Sequence, residues 1–159
     1  TTAQPGNSSR RTSLRQVMMT KTLTSEQILE ITSPPVLGVL STINRDGSPQ
    51  ATPIWYLYDG EHFNVTCHTG RLKAKNIQRN PNVTLTVLDT VNNGTPLLVK
   101  GTAVLVEEGA DEMTHRMSRR YQDEEPARKA ADDLIAYAAS IGERRVIIRI
   151  TPTRITYGE

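Results

Sequence analysis

The chain has 159 residues, 36% of them apolar, 4% aromatic and 23% charged, with one cysteine and a formal net charge of +2. That length fits one domain, and a single cysteine excludes an internal disulfide framework or a multi-cysteine metal site. No apolar run approaches the roughly 20 residues of a membrane span, and the first 20 residues hold no secretory-type apolar core, so a soluble, cytoplasmic, single-domain protein is expected.

The charge is unevenly placed. Residues 1–21 carry Arg10, Arg11, Arg15 and Lys21 and no acid. Removing these four from 19 basic residues leaves 15 against 17 acidic ones, a net of −2 for residues 22–159. The chain therefore divides into a polar, basic N-terminal extension (1–21) and a near-neutral body (22–159). Such a body is a poor match for a phosphate polymer, so no nucleic-acid partner is expected.

Thr24-Ser25-Glu26-Gln27 has capping-box spacing and predicts a short helix to about Ile31, ended by Pro34-Pro35. Val36–Ile43 reads as a strand, Asn44–Gly47 as a turn and Gln50–Tyr58 as a second strand. Asp59-Gly60 is a hairpin signal before a third strand over His62–Cys67. Thr69–Asn80 reads as a helix stopped by Pro81, followed by strands over Val83–Leu88 and Leu97–Val106. Residues 110–141 carry helical spacing with a fresh start at Glu124-Glu125-Pro126. Two short strands, Val146–Ile150 and Arg154–Tyr157, flank Pro152. About seven antiparallel strands with short helices and a late helical insertion predict a mainly β protein closed into a small barrel.

The densest chemical signal is Thr66-Cys67-His68-Thr69-Gly70-Arg71-Leu72-Lys73-Ala74-Lys75-Asn76, where a strand gives way to a helix. The first turn of a helix has unpaired N–H groups and the positive end of the dipole, and so attracts an anion. Gly70 allows close backbone approach, Arg71 and Lys73 add charge, and Thr66 and Thr69 add hydroxyls. The competing reading is a solvated basic face, because Arg71, Lys75 and Arg79 are spaced four apart. Trp55 and Tyr56 on one strand should point to opposite faces, one inward and one toward a groove or solvent; both read as packing residues, with Tyr56 as proton donor or substrate-stacking group the alternative. His62, Cys67 and His68 lack a local carboxylate to complete a tetrahedral set, so no metal is expected, and Cys67 reads as a small buried apolar residue. His115 reads as a surface residue, and Asp132-Asp133 and Glu107-Glu108 as solvated charge. No nucleophile elbow, Walker loop or Rossmann fingerprint occurs, and no catalytic residue can be named.

Four stretches in order resemble the split β-barrel flavin and deazaflavin oxidoreductases, the superfamily that includes pyridoxamine 5′-phosphate oxidase. They are Leu37–Ile43 with Asp46–Gln50; Thr52-Pro53-Ile54-Trp55-Tyr56; Gly70–Ile77 with Arg79-Asn80-Pro81; and Lys100-Gly101-Thr102-Ala103. Arg144-Arg145-Val146 and Tyr157-Gly158 fit as well. The chain is similar in particular to the class B branch that binds the deazaflavin coenzyme F420. The resemblance implies a homodimer with the cofactor in grooves at the interface. It implies that Thr66, Arg71 and Lys73 hold the cofactor phosphate, that Gln50, Thr52, Pro53 and Ile54 line the ring edge, and that Lys75 or Asn76 supports the loop. The activity implied is F420-dependent hydride transfer to an electron-poor small-molecule acceptor. FMN in the same groove, in a flavin reductase or oxidase, is the alternative. Outside enzymes, the rivals are a non-catalytic barrel that binds a flavin-like ligand and an interaction module using the basic arm.

Overall fold

The computed structural model describes residues 22–158; the N-terminal extension, with its basic residues, lies outside them. Helix α1 (Ser25–Thr32) begins at the expected capping box. The Gln27 N–H donates to Thr24 Oγ1 at 3.2 Å, and the Thr24 N–H donates to Gln27 Oε1 at 2.9 Å. The strands that follow are β1 (Gly38–Ile43), β2 (Pro49–Ile54), β3 (Leu57–Tyr58) and β4 (Phe63–His68). Helix α2 (Leu72–Arg79) leads to β5 (Asn82–Asp89) and β6 (Thr95–Val106). Helices α3 (Ala110–Tyr121) and α4 (Glu124–Ser140) form the insertion before β7 (Arg145–Tyr157).

One seven-stranded antiparallel sheet runs in the order β2-β1-β5-β6-β7-β4-β3. Strands β2 and β3 stand at opposite edges of that order, yet only Trp55 and Tyr56 separate them in the chain. Laid flat, seven strands would set the edges roughly 29 Å apart at about 4.8 Å per neighbour. Three Cα steps span at most about 11 Å. The sheet must therefore curl until its edges meet, and the result is the expected split barrel with Trp55–Tyr56 as its seam.

Alternation fills the interior. Val83, Leu85 and Val87 of β5 and Leu97, Val99 and Ala103 of β6 point inward, to meet Leu40, Phe63, Val65, Ile148 and Ile150. Pro49 and Pro53 lie on β2, an edge strand, where a missing N–H is tolerated.

Three expectations need correction. The second strand does not run through to Tyr58, because the seam interrupts it at Trp55–Tyr56. The last two short strands are one continuous strand of 13 residues: Pro152 sits opposite Gly101, and a bulge leaves Thr153 as the extra residue where a straight ladder would break. The seven-strand count thus holds with a different division. The helix expected from Thr69 begins at Leu72, since Thr69 and Gly70 form the turn that delivers it. Among the described residues no helix is long and apolar enough to cross a membrane.

Candidate functional site

Strand β4 ends at His68 because its ladder with β7 ends there, His68 pairing with Arg145. The chain then turns through Thr69-Gly70 into α2. The Thr69 N–H donates to the Arg144 carbonyl at 2.9 Å, and the Thr69 hydroxyl donates to the Glu143 carboxylate. Gly70 leaves room for the Glu143 carboxylate: a Cβ there would lie 2.5 Å from Glu143 Oε1, at the end of a side chain that would have to swing aside. Helix α2 starts with no side-chain cap and no acid in its first turn, so its first N–H groups are not occupied by side chains of their own helix.

Beside this corner lies a cavity of about 310 Å³. Its charged end is formed by Arg71, Lys73 and Arg145 with Thr66, Cys67 and His68; its apolar wall is Ile54, Trp55, Leu134 and Tyr137. No carboxylate lines it. Lys73 is 8% exposed and Arg145 7%, and among the described residues neither is paired with an acid. Burial, then the neighbouring Arg71, hold the Lys73 ammonium below its ordinary range. Burial also lowers the Arg145 guanidinium. Burial, reinforced by Arg71, lowers the His68 imidazole and so keeps it neutral near pH 7. The Cys67 thiol is pushed up by burial, against the pull of Lys73 and Arg145, and is a poor nucleophile. His68 Nδ1 is buried with no partner among the described residues. Among the described residues, three clustered cations that make no salt bridge, although Asp111 acts on Arg145 from nearby, a buried ring nitrogen without a partner, and an adjoining apolar wall fit an anionic head group attached to a flat, apolar body.

Of the expected site residues, the structure gathers Thr66, Arg71, Lys73 and Ile54 around this cavity. Gln50, Thr52 and Pro53 lie on edge strand β2 outside its lining, and the Thr52 hydroxyl is buried without a partner. Lys75 and Asn76 line a separate depression with Arg45 and Arg79. Asn76 is fully buried: its amide donates to Thr42 Oγ1 at 3.0 Å and Asn44 Oδ1 at 2.9 Å and accepts from Arg79, which ties α2 to the β1–β2 turn.

Arg145 is the principal cavity residue that sequence reading did not assign to the site. Its Nη2 donates to Thr66 Oγ1 at 3.1 Å and its Nε to Thr114 Oγ1 at 3.3 Å. An arginine at the first position of a buried strand, where an apolar residue is the rule, was the available signal. Trp55 and Tyr56 do diverge, although from the seam and not from a strand: Trp55 lines the cavity and Tyr56 enters the core. Among the described residues the buried Tyr56 hydroxyl has no hydrogen-bond partner, and burial raises its pKa to about 12, so it keeps its proton near neutral pH, in the core and outside the cavity lining. Among the described residues no three His, Cys, Asp or Glu side chains group closely enough to hold a metal ion. His115, expected on the surface, is half-buried, its Nε2 lying 3.1 Å from Asp132 Oδ1 across the α3–α4 pair.

The family model for pyridoxamine 5′-phosphate oxidase matches residues 24–158. A solved structure named F420 reductase is 31% identical, with a TM-score of 0.62 over 80% of this chain and 94% of that one. A conserved hypothetical protein from Mycobacterium tuberculosis is 27% identical, with a TM-score of 0.66 over 86% of this chain and 84% of that one. An FAD-binding protein from Mesorhizobium loti, at 18% identity and TM-score 0.55 over 87% of this chain and 95% of that one, shares the fold.

Proposed function

The chain belongs to the pyridoxamine 5′-phosphate oxidase family, and from that premise we propose that it is an oxidoreductase that seats a phosphate-bearing flavin-type cofactor in the Arg71–Lys73–Arg145 corner. Coenzyme F420 is the preferred cofactor, supported by the similarity to the F420 reductase at 31% identity. The observation that carries the reading is a cation cluster, with no carboxylate in the cavity lining, next to an apolar wall.

When bound, the cofactor ring supplies hydride transfer to an electron-poor small molecule. The chain's own residues bind, orient and exclude water. Arg71, Lys73 and Arg145 take the phosphate oxygens through charge-assisted hydrogen bonds. Because the Thr66 oxygen already accepts from Arg145, its hydrogen is left to donate into the cavity. Ile54 and Trp55 flank the ring. Gln50, Thr52 and Pro53 offer the backbone of edge strand β2 to it. Asn76 braces α2 from behind the corner, and Lys75 stands on the outer face. The neutral His68 imidazole accepts or donates one hydrogen bond without adding charge.

A second copy of the chain would complete the groove. The outward face of the sheet leaves Val39, Leu88 and Val104 exposed, with Leu37 just ahead of β1, which suits burial in a homodimer. FMN is the second reading, because the corner recognises a phosphate whichever ring carries it. The test is a paired fluorescence titration of the protein with F420 and with FMN. Tighter binding of F420 is expected. Tighter binding of FMN transfers the assignment to a flavin enzyme, and no binding of either overturns it.

A further inference from the structure

The helical insertion has one face that touches a lining residue at each end of the cavity, Arg145 and Trp55. Residues Ala110, Thr114, Met117, Ser118 and Tyr121 of α3 recur at helical spacing toward the barrel, and all but Tyr121 are buried. Thr114 and Tyr121 are seven residues apart, about 10.5 Å along the axis at 1.5 Å per residue. Neither lines the cavity.

At the charged end, the Thr114 hydroxyl donates to the Ala110 carbonyl at 2.8 Å. Its proton is thereby committed, and its lone pairs face Arg145 Nε at 3.3 Å. Together with Thr66 on Nη2, this holds the guanidinium through two of its nitrogens. At the apolar end, the Tyr121 ring stacks on the Trp55 indole with centroids 4.9 Å apart and planes 5° from parallel. The Tyr121 hydroxyl accepts from the Tyr56 N–H at 3.1 Å and lies 2.9 Å from the Val36 carbonyl and 3.2 Å from the Tyr56 carbonyl. It thus satisfies backbone groups at the seam where the ladder stops.

We propose that Thr114 and Tyr121 are positioning residues through which α3 sets the two ends of the ligand site independently: Thr114 orients Arg145 toward the anionic group, and Tyr121 orients Trp55 against the flat body. This rests on the cofactor reading above for the ligand's identity, but its two local linkages can be read without any cofactor. The helical insertion is therefore a gauge for the site, and its length and phase set the separation between cation and indole.

The experiment compares Thr114→Val, Thr114→Ser, Tyr121→Leu and Tyr121→Phe in the full chain, each checked for an intact thermal transition. Trp55 is the chain's single tryptophan, so its emission and acrylamide quenching report the apolar end in the apoprotein. Calorimetric titration with inorganic phosphate reports the charged end. Tyr121→Leu is expected to raise Trp55 quenching and leave phosphate affinity alone, with Tyr121→Phe intermediate because it keeps the stack. Thr114→Val is expected to weaken phosphate binding by roughly tenfold, the scale of one hydrogen bond to a charged group. Thr114→Ser restores it, and Trp55 quenching is unchanged in both.

The same variants are then titrated with FMN and riboflavin, and with F420 and its phosphate-free deazaflavin. Thr114→Val should penalise only the phosphate-bearing member of each pair, whereas Tyr121→Leu penalises both members equally. A Thr114→Val loss shared equally by both members, or a Trp55 signal indifferent to Tyr121→Leu, overturns the proposal. Failure of the wild-type protein to bind any of the four compounds refutes the cofactor reading, and the apoprotein measurements still decide the inference.

Discussion

Replacing Lys73 by methionine should make the unliganded protein more stable and the ligand weaker. The ammonium is 8% exposed, has no acidic partner among the described residues, and is held below the ordinary 10.5 first by burial and then by the neighbouring Arg71. A lysine disfavoured in its charged form costs the folded state stability at every pH below its folded pKa. As pH rises from that value toward 10.5, the folded state loses its proton before the unfolded state, and the cost disappears. Methionine has a similar stem length and no charge, so the gain at pH 7 should be about 1 kcal/mol, or about 3 °C in melting temperature for a chain of this size. In the same variant one charge-assisted hydrogen bond to phosphate is lost, about 1.5–3 kcal/mol, or roughly ten- to a hundredfold in Kd. Calorimetric scans at pH 7 and pH 10.5, with F420 and FMN titrations alongside, read both effects. A variant that melts lower at pH 7 than the parent, or binds as tightly, would refute the reasoning that Lys73 is an uncompensated charge held for an anion.

Four further outcomes follow from the same structure. Gly70→Ala should push the Glu143 carboxylate off Thr69, costing about 1 kcal/mol, and the penalty should vanish when Gly70→Ala is made in a Glu143→Ala background, as a thermal double-mutant cycle would show. Gly101→Ala places a Cβ against the Thr151 carbonyl, a backbone atom that cannot swing aside, and should cost about 3 kcal/mol or more in urea unfolding. Arg120→Met removes donors to the Thr32, Ser33 and Pro34 carbonyls and should lower stability by about 2–4 kcal/mol, measured the same way. Burial alone would raise the Asp89 pKa, but hydrogen bonds from Asn92, Tyr157 and the Val91 N–H hold it below 3.8. Its contribution is therefore present above that value and lost as pH falls through the folded pKa, so an Asp89→Asn variant should be less stable at pH 7 and converge on the parent in acid.

Much of this was legible in the sequence because local chemistry and global shape agree there. The Thr24–Gln27 box, the Asp59-Gly60 turn and the alternation of β5 each specify their element without tertiary help. The strand-to-helix corner was legible because Gly70, Arg71 and Lys73 lie almost side by side in the chain. What escaped depends on residues distant in sequence. The break at Trp55–Tyr56 has no glycine or proline to mark it; it is held by Tyr121, 65 residues later. The continuity of β7 through Pro152 depends on Gly101 opposite it. Arg145 belongs to the site because Thr66 and Thr114 pin it there, 79 and 31 residues away; its place at the head of a buried strand marked it as unusual but did not show what it faces. Asn76 looked like part of the anion corner by adjacency, yet helical rotation directs it to the β1–β2 turn.

If one corner of the barrel grips the phosphate of a redox cofactor, a crystal structure of the protein grown with F420 will display that grip. Phosphate oxygens should lie within hydrogen-bond distance of Arg71, Lys73 and Arg145, with the deazaflavin ring extending along Ile54 and Trp55. A phosphate bound elsewhere on the surface, with those three side chains untouched, would contradict the assignment.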